Sequence, residues 1–328
     1  MPQKIIITGG AGFIGHHLCE HIHKHTDWDI IIIDKLSYAS KGLSRLRNNG
    51  LISSKRIVVY TIDLVQPISD GIKLEIGEVD YIVHLAAETH IDSSIAEPVR
   101  FIHNNIMSTV NLLEYARCIT TLKKFFYFST DEVFGPAPGT ISFKELDVHK
   151  PTNPYSASKS AAENIAMSYK NTYKLPVLIV NVMNAMGERQ HIEKFIPKCI
   201  KYILEEKNLN IHADKKCEVI GSRFYIHARN ISSAVLFLID NGNIGEKYNI
   251  TGEIELSNLE IAQSISKIMN KPLKYTIIDA ETERNGHDCR YCLSGEKLSK
   301  LGWKPPIDFQ NSLEKTILWT MNNLEWLE

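Results

Sequence analysis

Thr8-Gly9-Gly10-Ala11-Gly12-Phe13-Ile14-Gly15 follows the apolar run Lys4 to Thr8 and opens a stretch of helical period from Phe13 to His25. Gly9, Gly12 and Gly15 are spaced G-x-x-G-x-x-G, a variant of the strand-turn-helix fingerprint for dinucleotides. The spacing has a chemical reason. The turn must be tight, the backbone bare enough for a diphosphate to approach, and the last glycine small enough for helix and strand to touch. Backbone N–H groups and the helix dipole then hold the anion without a lysine, which puts Phe13 and Ile14 at the helix start among the cofactor contacts. A merely tight turn also uses glycines, so residues downstream must decide.

Asp34 ends the second apolar run, about 20 residues on, where a carboxylate can accept hydrogen bonds from an adenosine ribose. It would repel a 2′-phosphate, and the neighbouring basic residue is a lone Lys35. NAD is expected rather than NADP. Asp63 and Leu64 fall where the adenine would sit, and Leu85, Ala86 and Ala87 follow the fourth run as small residues able to lie against the dinucleotide. Taken alone, Asp63 reads equally well as a loop carboxylate.

Working outward, short apolar runs at Lys4 to Thr8, Ile30 to Asp34, Ile57 to Tyr60, Tyr81 to His84, Phe125 to Ser129 and Val177 to Val180 alternate with helical patterns. The clearest helices are Phe13 to His25, Pro98 to Arg117 and Pro154 to Tyr173. This rhythm predicts βαβ units and an α/β fold, a Rossmann-like doubly wound parallel sheet. Asn153 before Pro154 reads as an N-cap. After about Asn181 the rhythm loosens into helical patterns at Ile192 to Glu206, Arg229 to Asp240, Ser257 to Met269 and Phe309 to Asn323. A smaller mixed α/β substrate domain is expected there, residues 181–328 beside 1–180, with some segments returning to pack on the first domain.

The 328 residues carry 37 Lys plus Arg against 38 Asp plus Glu, a formal charge of −1. A polyanion-binding surface would normally show a basic surplus, so nucleic acid and anionic membranes are not expected partners. Six scattered cysteines suggest reduced thiols in a cytoplasmic protein, and no run approaches the ~20 apolar residues that span a bilayer. Cys289 and Cys292 form a C-x-x-C pair with no second pair beside it. His287 would supply at best a third ligand, so no metal is expected.

Tyr155 and Lys159 stand four apart on one face of the helix that Pro154 starts. An unperturbed tyrosine is a poor base at neutral pH, and a nearby cation favours its phenolate. Tyr155 could then take a proton from a substrate hydroxyl as hydride leaves, with Lys159 also orienting the nicotinamide ribose. Thr130, Asp131 and Glu132 follow the fifth strand at the carboxyl edge, where such sheets bind ligands. Two carboxylates whose environments separate their pKa values can serve as acid and base in an elimination.

The stretches TGGAGFIG, HLAAETHID from His84, NNI from Asn104, STDEVFG from Ser129 and NPYSASK from Asn153 resemble the extended short-chain dehydrogenase/reductase family. Within it, the acid pair after Thr130 resembles the nucleoside-diphosphate-glucose 4,6-dehydratases. The resemblance implies a lyase with NAD recycled in each turnover. Tyr155, helped by Thr130, would deprotonate the C4 hydroxyl; Glu132 would remove the C5 proton; Asp131 would protonate the departing C6 hydroxyl. It also implies that Asn105 supports Lys159 or a water. His90, Asn184, Glu193, Lys194, Arg223 and Arg290 would meet the nucleotide sugar, and helices near 98–117 and 154–173 would form a homodimer. The family often reads Arg-Cys-Ser-Asn-Asn-Tyr-Gly where this chain has Asn181 to Gly187. Leu209-Asn210-Ile211-His212 also replaces a common Leu-Pro-Ile-Tyr, which leaves uracil beside thymine as the base. A nucleotide-sugar 4-epimerase needs the same Tyr155 and Lys159 without the acid pair; a silent NAD-binding protein needs neither.

Overall fold

The computed structural model describes residues 2–279 and 290–328. Its main sheet contains β1 (Lys4–Thr8), β2 (Asp29–Asp34), β3 (Ile57–Thr61), β4 (Tyr81–His84), β5 (Lys124–Thr130) and β6 (Val177–Val182). A seventh strand, Lys247–Ile250, joins from far along the chain, and the order is Lys247–Ile250, β6, β5, β4, β1, β2, β3. Every pairing is parallel. The order reverses beside β1, the switch point where open α/β sheets bind ligands.

Why the strands read as unbroken apolar runs is plain from their packing. Ile5, Ile7, Ile30 and Ile32 enter the core on one face of the sheet, while Ile6, Ile31 and Ile33 enter a second core on the other. With both faces covered, alternation disappears. Between the strands lie α1 (Phe13–His25), α2 (Ser44–Asn48), α3 (Asp70–Ile76), α4 (Ile91–Ala96), α5 (Pro98–Ala116) and α6 (Pro154–Tyr173).

The second half adds β7 (Asn184–Met186), α7 (Phe195–Leu204), β8 (Leu209–Ala213), β9 (Ser222–His227) and α8 (Ala228–Asn241). After the seventh sheet strand, β10 (Lys247–Ile250), come β11 (Glu255–Ser257), α9 (Asn258–Met269) and β12 (Tyr275–Asp279). β11, β9 and β7 form one small sheet and β12 with β8 another. A third core gathers Ile196 and Ile200 of α7, Ile211 of β8, Ile261 and Ile265 of α9, and Leu313 and Ile317 of helix Phe309–Met321. The helix expected from Ile192 begins only at Phe195, because Lys194 is extended and leaves Glu193 and Lys194 in the approach to the helix.

At α6 the sequence signal is local and strong. Asn153 accepts from Ser156 N at 2.9 Å, the Ser156 hydroxyl returns toward Asn153 N, and Pro154 takes the first turn. This capping box sets where Tyr155 enters the site.

Candidate active site

One cavity runs along the carboxyl edge of β1, β4 and β5. It is bordered by Gly9, Gly12, Phe13, Ile14, Gly15, Asp34, Lys35, Asp63, Leu64, Leu85, Ala86 and Ala87 at one end, and by Thr130, Asp131, Glu132, Tyr155, Lys159, Asn184, Glu193 and Lys194 at the other. Residues far apart in the chain are therefore brought to one place.

The glycine turn is built for close approach. Gly9 has φ +69, and a Cβ there would stand 2.9 Å from Ala86 N; at Gly15 a Cβ would stand 2.1 Å from Gly9 O. Asp34 is buried, with Oδ2 accepting from Ala11 N at 3.0 Å and Oδ1 from Leu36 N at 2.8 Å. Burial raises its pKa, and these backbone bonds pull the other way. Asp63 accepts from Val65 N at 3.1 Å and turns the chain at the cavity wall. Lys35 is not a loose cation, because its Nζ lies 3.1 Å from Glu88 Oε1.

At the other end, Thr130 closes β5 and donates to Asp131 Oδ1 at 2.9 Å, leaving the buried Asp131 Oδ2 without a hydrogen-bond partner. Asn153 Nδ2 donates to Glu132 Oε2 at 3.4 Å. Burial pushes Asp131 up to about 6, against the Thr130 bond and the nearby Arg223 charge. Glu132 is raised to about 7 by burial and then by the Asp131 charge. Burial thus lifts both carboxyls above the usual carboxylate range, the condition under which one group can donate while the other accepts.

Two expectations about the Tyr155–Lys159 pair are corrected here. Burial, joined by the Glu132 charge, drives the Tyr155 phenol well above its usual range, although a bond with Thr130 opposes this. Lys159 does not offset that burial, since it is itself buried and lowered to about 7, with Glu163 as the opposing charge. Its Nζ lies 4.4 Å from the Tyr127 ring centroid. Nor does Asn105 support Lys159: it bonds the backbone of Glu88, at 2.8 and 3.1 Å, and Ser158 Oγ at 2.9 Å.

The substrate residues divide. Asn184 Oδ1 is buried on the cavity wall with no partner, and Glu193 and Lys194 stand beside it with their charges 3.7 Å apart. His90 instead caps α4 through Ser93 N and does not border the cavity, its Nε2 lying 3.9 Å from Glu193 Oε2. Arg223 is buried on β9 behind the acid pair, donating to Ser222 O at 2.7 Å with its guanidinium 4.9 Å from the Tyr291 ring centroid. Arg290 grips Glu255 at 2.7 and 2.9 Å and the Ile141 carbonyl at 2.7 Å. Neither arginine borders the cavity: Arg223 turns to the Ser222 carbonyl and the Tyr291 ring, and Arg290 to Glu255 and the Ile141 carbonyl.

Sequence reasoning missed Arg45, which is fully buried, borders the cavity and donates to Ala39 O at 2.7 Å and Arg189 O at 3.0 Å while Nη2 has no partner. One of two arginines in the short polar helix α2 carries no signal for this. It also missed Glu88 and His191, which border the cavity as well. Cys289 and His287 lie outside the described residues; among the described residues no cluster could hold a metal ion and no helix is long and apolar enough to cross a membrane.

The glycine turn at a parallel-sheet switch point, with a Tyr/Lys pair on the helix after β5, defines a protein of the short-chain dehydrogenase/reductase class. Residues 6–316 match the model for the family described as GDP-mannose 4,6 dehydratase, and the chain belongs to that family. It is 35% identical to a dTDP-glucose 4,6-dehydratase of Escherichia coli, covering 99% of this chain and 95% of that one. A trifunctional UDP-glucose 4,6-dehydratase of Arabidopsis thaliana is 34% identical over 99% of this chain and 48% of its own length. Among solved structures, the dTDP-glucose 4,6-dehydratase DesIV of Streptomyces venezuelae with NAD bound superposes with TM-score 0.87 at 30% identity, covering 99% of this chain and all of that one.

Proposed function

We propose that the cavity oxidises, dehydrates and reduces one nucleotide-bound glucose. The protein is a nucleoside-diphosphate-glucose 4,6-dehydratase, a hydro-lyase with NAD as its cofactor, acting on dTDP- or UDP-glucose. The observation that carries the assignment of roles is the joining of Asp131 and Glu132 to Tyr155 through Thr130 in one cavity with the glycine turn.

The residues present fit the cofactor. The Gly9 to Gly15 backbone would hold its diphosphate, Asp34 the adenosine ribose, Asp63 and Leu64 the adenine, and Lys159 the nicotinamide ribose. When bound, NAD supplies a hydride acceptor that is also the donor for the last reduction. Tyr155, its phenolate favoured by the positive charge that the oxidised nicotinamide would bring to the cavity, would take the proton of the C4 hydroxyl, Thr130 holding the phenol in place, as the C4–H bond gives up its electron pair. The resulting 4-keto group acidifies C5, and Glu132 accepts that proton. Asp131 donates to the C6 hydroxyl, which leaves as water with the C6–O electron pair. With C6 taking back the hydride that the cofactor would supply, Glu132 returns its proton to C5, leaving the 4-keto-6-deoxy sugar, and the proton held by Tyr155 replaces the one Asp131 gave to the leaving water.

Asn184, Glu193 and Lys194 would hold the sugar and its phosphates, with Arg223 setting the charge behind the acids. Residues 1–180 would then bind NAD and 181–328 the nucleotide sugar. The enzyme works in the cytoplasm as a homodimer through α5 and α6; exposed Val99, Ile102 and Tyr173 on those helices support the contact.

Incubation with dTDP-glucose and with UDP-glucose tests the reaction and the nucleotide together. A 4-keto-6-deoxy product from either is expected. A galactose-configured product with no loss of water would establish the 4-epimerase instead, a reading favoured by the fold of a Bacillus cereus UDP-glucuronic acid 4-epimerase, TM-score 0.87 at 25% identity and covering 98% of this chain and all of that one.

A further inference from the structure

β1 lies between β2 and β4 in the sheet, Lys35 follows β2 directly, and Glu88 stands just past β4. Their side chains nevertheless meet, Nζ to Oε1 at 3.1 Å, and both border the cavity. A bond between the two flanking strand ends has to cross the end of β1, where Gly9 to Gly12 lie. Glu88 is the fixed half of this pair. Arg100 Nε reaches its Oε2 at 3.1 Å, Asn104 donates to its Oε1, and Asn105 holds its backbone N–H and carbonyl at 2.8 and 3.1 Å. Asn105 also bonds Ser158 Oγ at 2.9 Å, which donates to Tyr155 O at 2.7 Å, so the anchor is continuous with the helix that carries Tyr155. Lys35 is a single flexible side chain on the loop after β2.

We propose that the Lys35–Glu88 ion pair is a bar across the cofactor's diphosphate that must open for NAD to enter or leave, with Glu88 the residue that retains the cofactor between the two hydride steps. This rests on the reading that NAD occupies the cavity. Retention is part of the reaction, because the hydride taken from C4 must return to the same sugar at C6. A cofactor that left in its reduced form would strand a 4-keto intermediate. A bar fits that need better than a tighter contact would: closed with the cavity empty or full, it slows exit and uptake alike and leaves affinity untouched.

The experiment follows exchange of isotopically labelled NAD on the purified protein, measuring dissociation into excess unlabelled NAD and association after stripping. In Glu88→Gln and in Lys35→Met both rates should rise together, by roughly five-fold for an ion pair of this exposure. Equilibrium affinity should stay unchanged, and the double variant should be no faster than either single one. Salt should speed exchange in the unmodified protein and not in the variants. Dissociation that rises with association unaltered would mean that Lys35 or Glu88 merely contacts NAD, and would overturn the bar. So would unchanged rates in Lys35→Met, a substitution that leaves the Glu88 anchor intact. Failure of the unmodified protein to hold NAD at all would overturn the reading of the cavity and the bar with it.

Discussion

Asn153 donates to Glu132 at 3.4 Å with the same amide whose oxygen caps α6. One side chain therefore sets both the start of the helix carrying Tyr155 and the position of the acid pair's second member. Asn153→Ala should cost about 1 kcal/mol of stability from the lost cap. Asn153→Asp keeps the cap acceptor but replaces the amide donor with a charge beside Glu132. Its melting temperature should stay near that of the unmodified protein, while the acid limb of its pH–rate profile moves to higher pH.

Glu132→Gln separates the steps. Elimination should stop while C4 oxidation persists, seen as absorbance at 340 nm that rises on adding substrate and does not decay. Normal product formation in this variant would remove Glu132 from the role of C5 base.

The same substitution has a signed effect on stability. Glu132 is raised to about 7 by burial and the Asp131 charge, so the fold favours its neutral form. The associated stability is fully present below the unfolded-state value, about 4.3, and is lost as pH rises through the folded value. Against the unmodified protein, Glu132→Gln should gain little at pH 4 and about 3 kcal/mol at pH 8. Thermal melts at the two pH values measure the difference.

Tyr155→Phe should lower product formation by about 10²–10⁴-fold, the usual worth of a positioned acid–base group. NAD should remain bound, since the ring is kept and only the hydroxyl bonded to Thr130 is lost. Parallel turnover and cofactor-content measurements check both parts.

Gly15→Ala would place a methyl 2.1 Å from Gly9 O, a backbone atom with no room to move. Loss of NAD binding together with destabilisation of more than about 2 kcal/mol is expected, read by calorimetry and melting.

What could be read from the chain was mostly local. The glycine turn, Asp34 at the end of β2 and the capping box at Asn153 each declare themselves within a few residues, and each stands where the pattern placed it. The acid pair was legible as a resemblance, while its raised pKa values come from burial that no spacing reveals. Arg223 and Arg290 show the limit. As residue types they suit a diphosphate, but Ser222, Tyr291 and Glu255 engage them, and the Arg290–Glu255 pairing joins positions 35 apart. Arg45 is the reverse case, since only the folded chain surrounds it with the carbonyls of Ala11, Ala39 and Arg189.

The seventh strand carries a consequence for how the protein is made. β6 is buried along all six residues and pairs on its outer side only with Lys247–Ile250, which the ribosome adds more than sixty residues later. Until then a nascent chain displays the unpaired edge of Val177-Leu178-Ile179-Val180, a surface that invites other strands. Fragments ending shortly after Val182 would therefore aggregate even though they contain the whole glycine turn and the Tyr/Lys pair, and any division of this enzyme into separately expressed halves must keep residues 247–250 with the first.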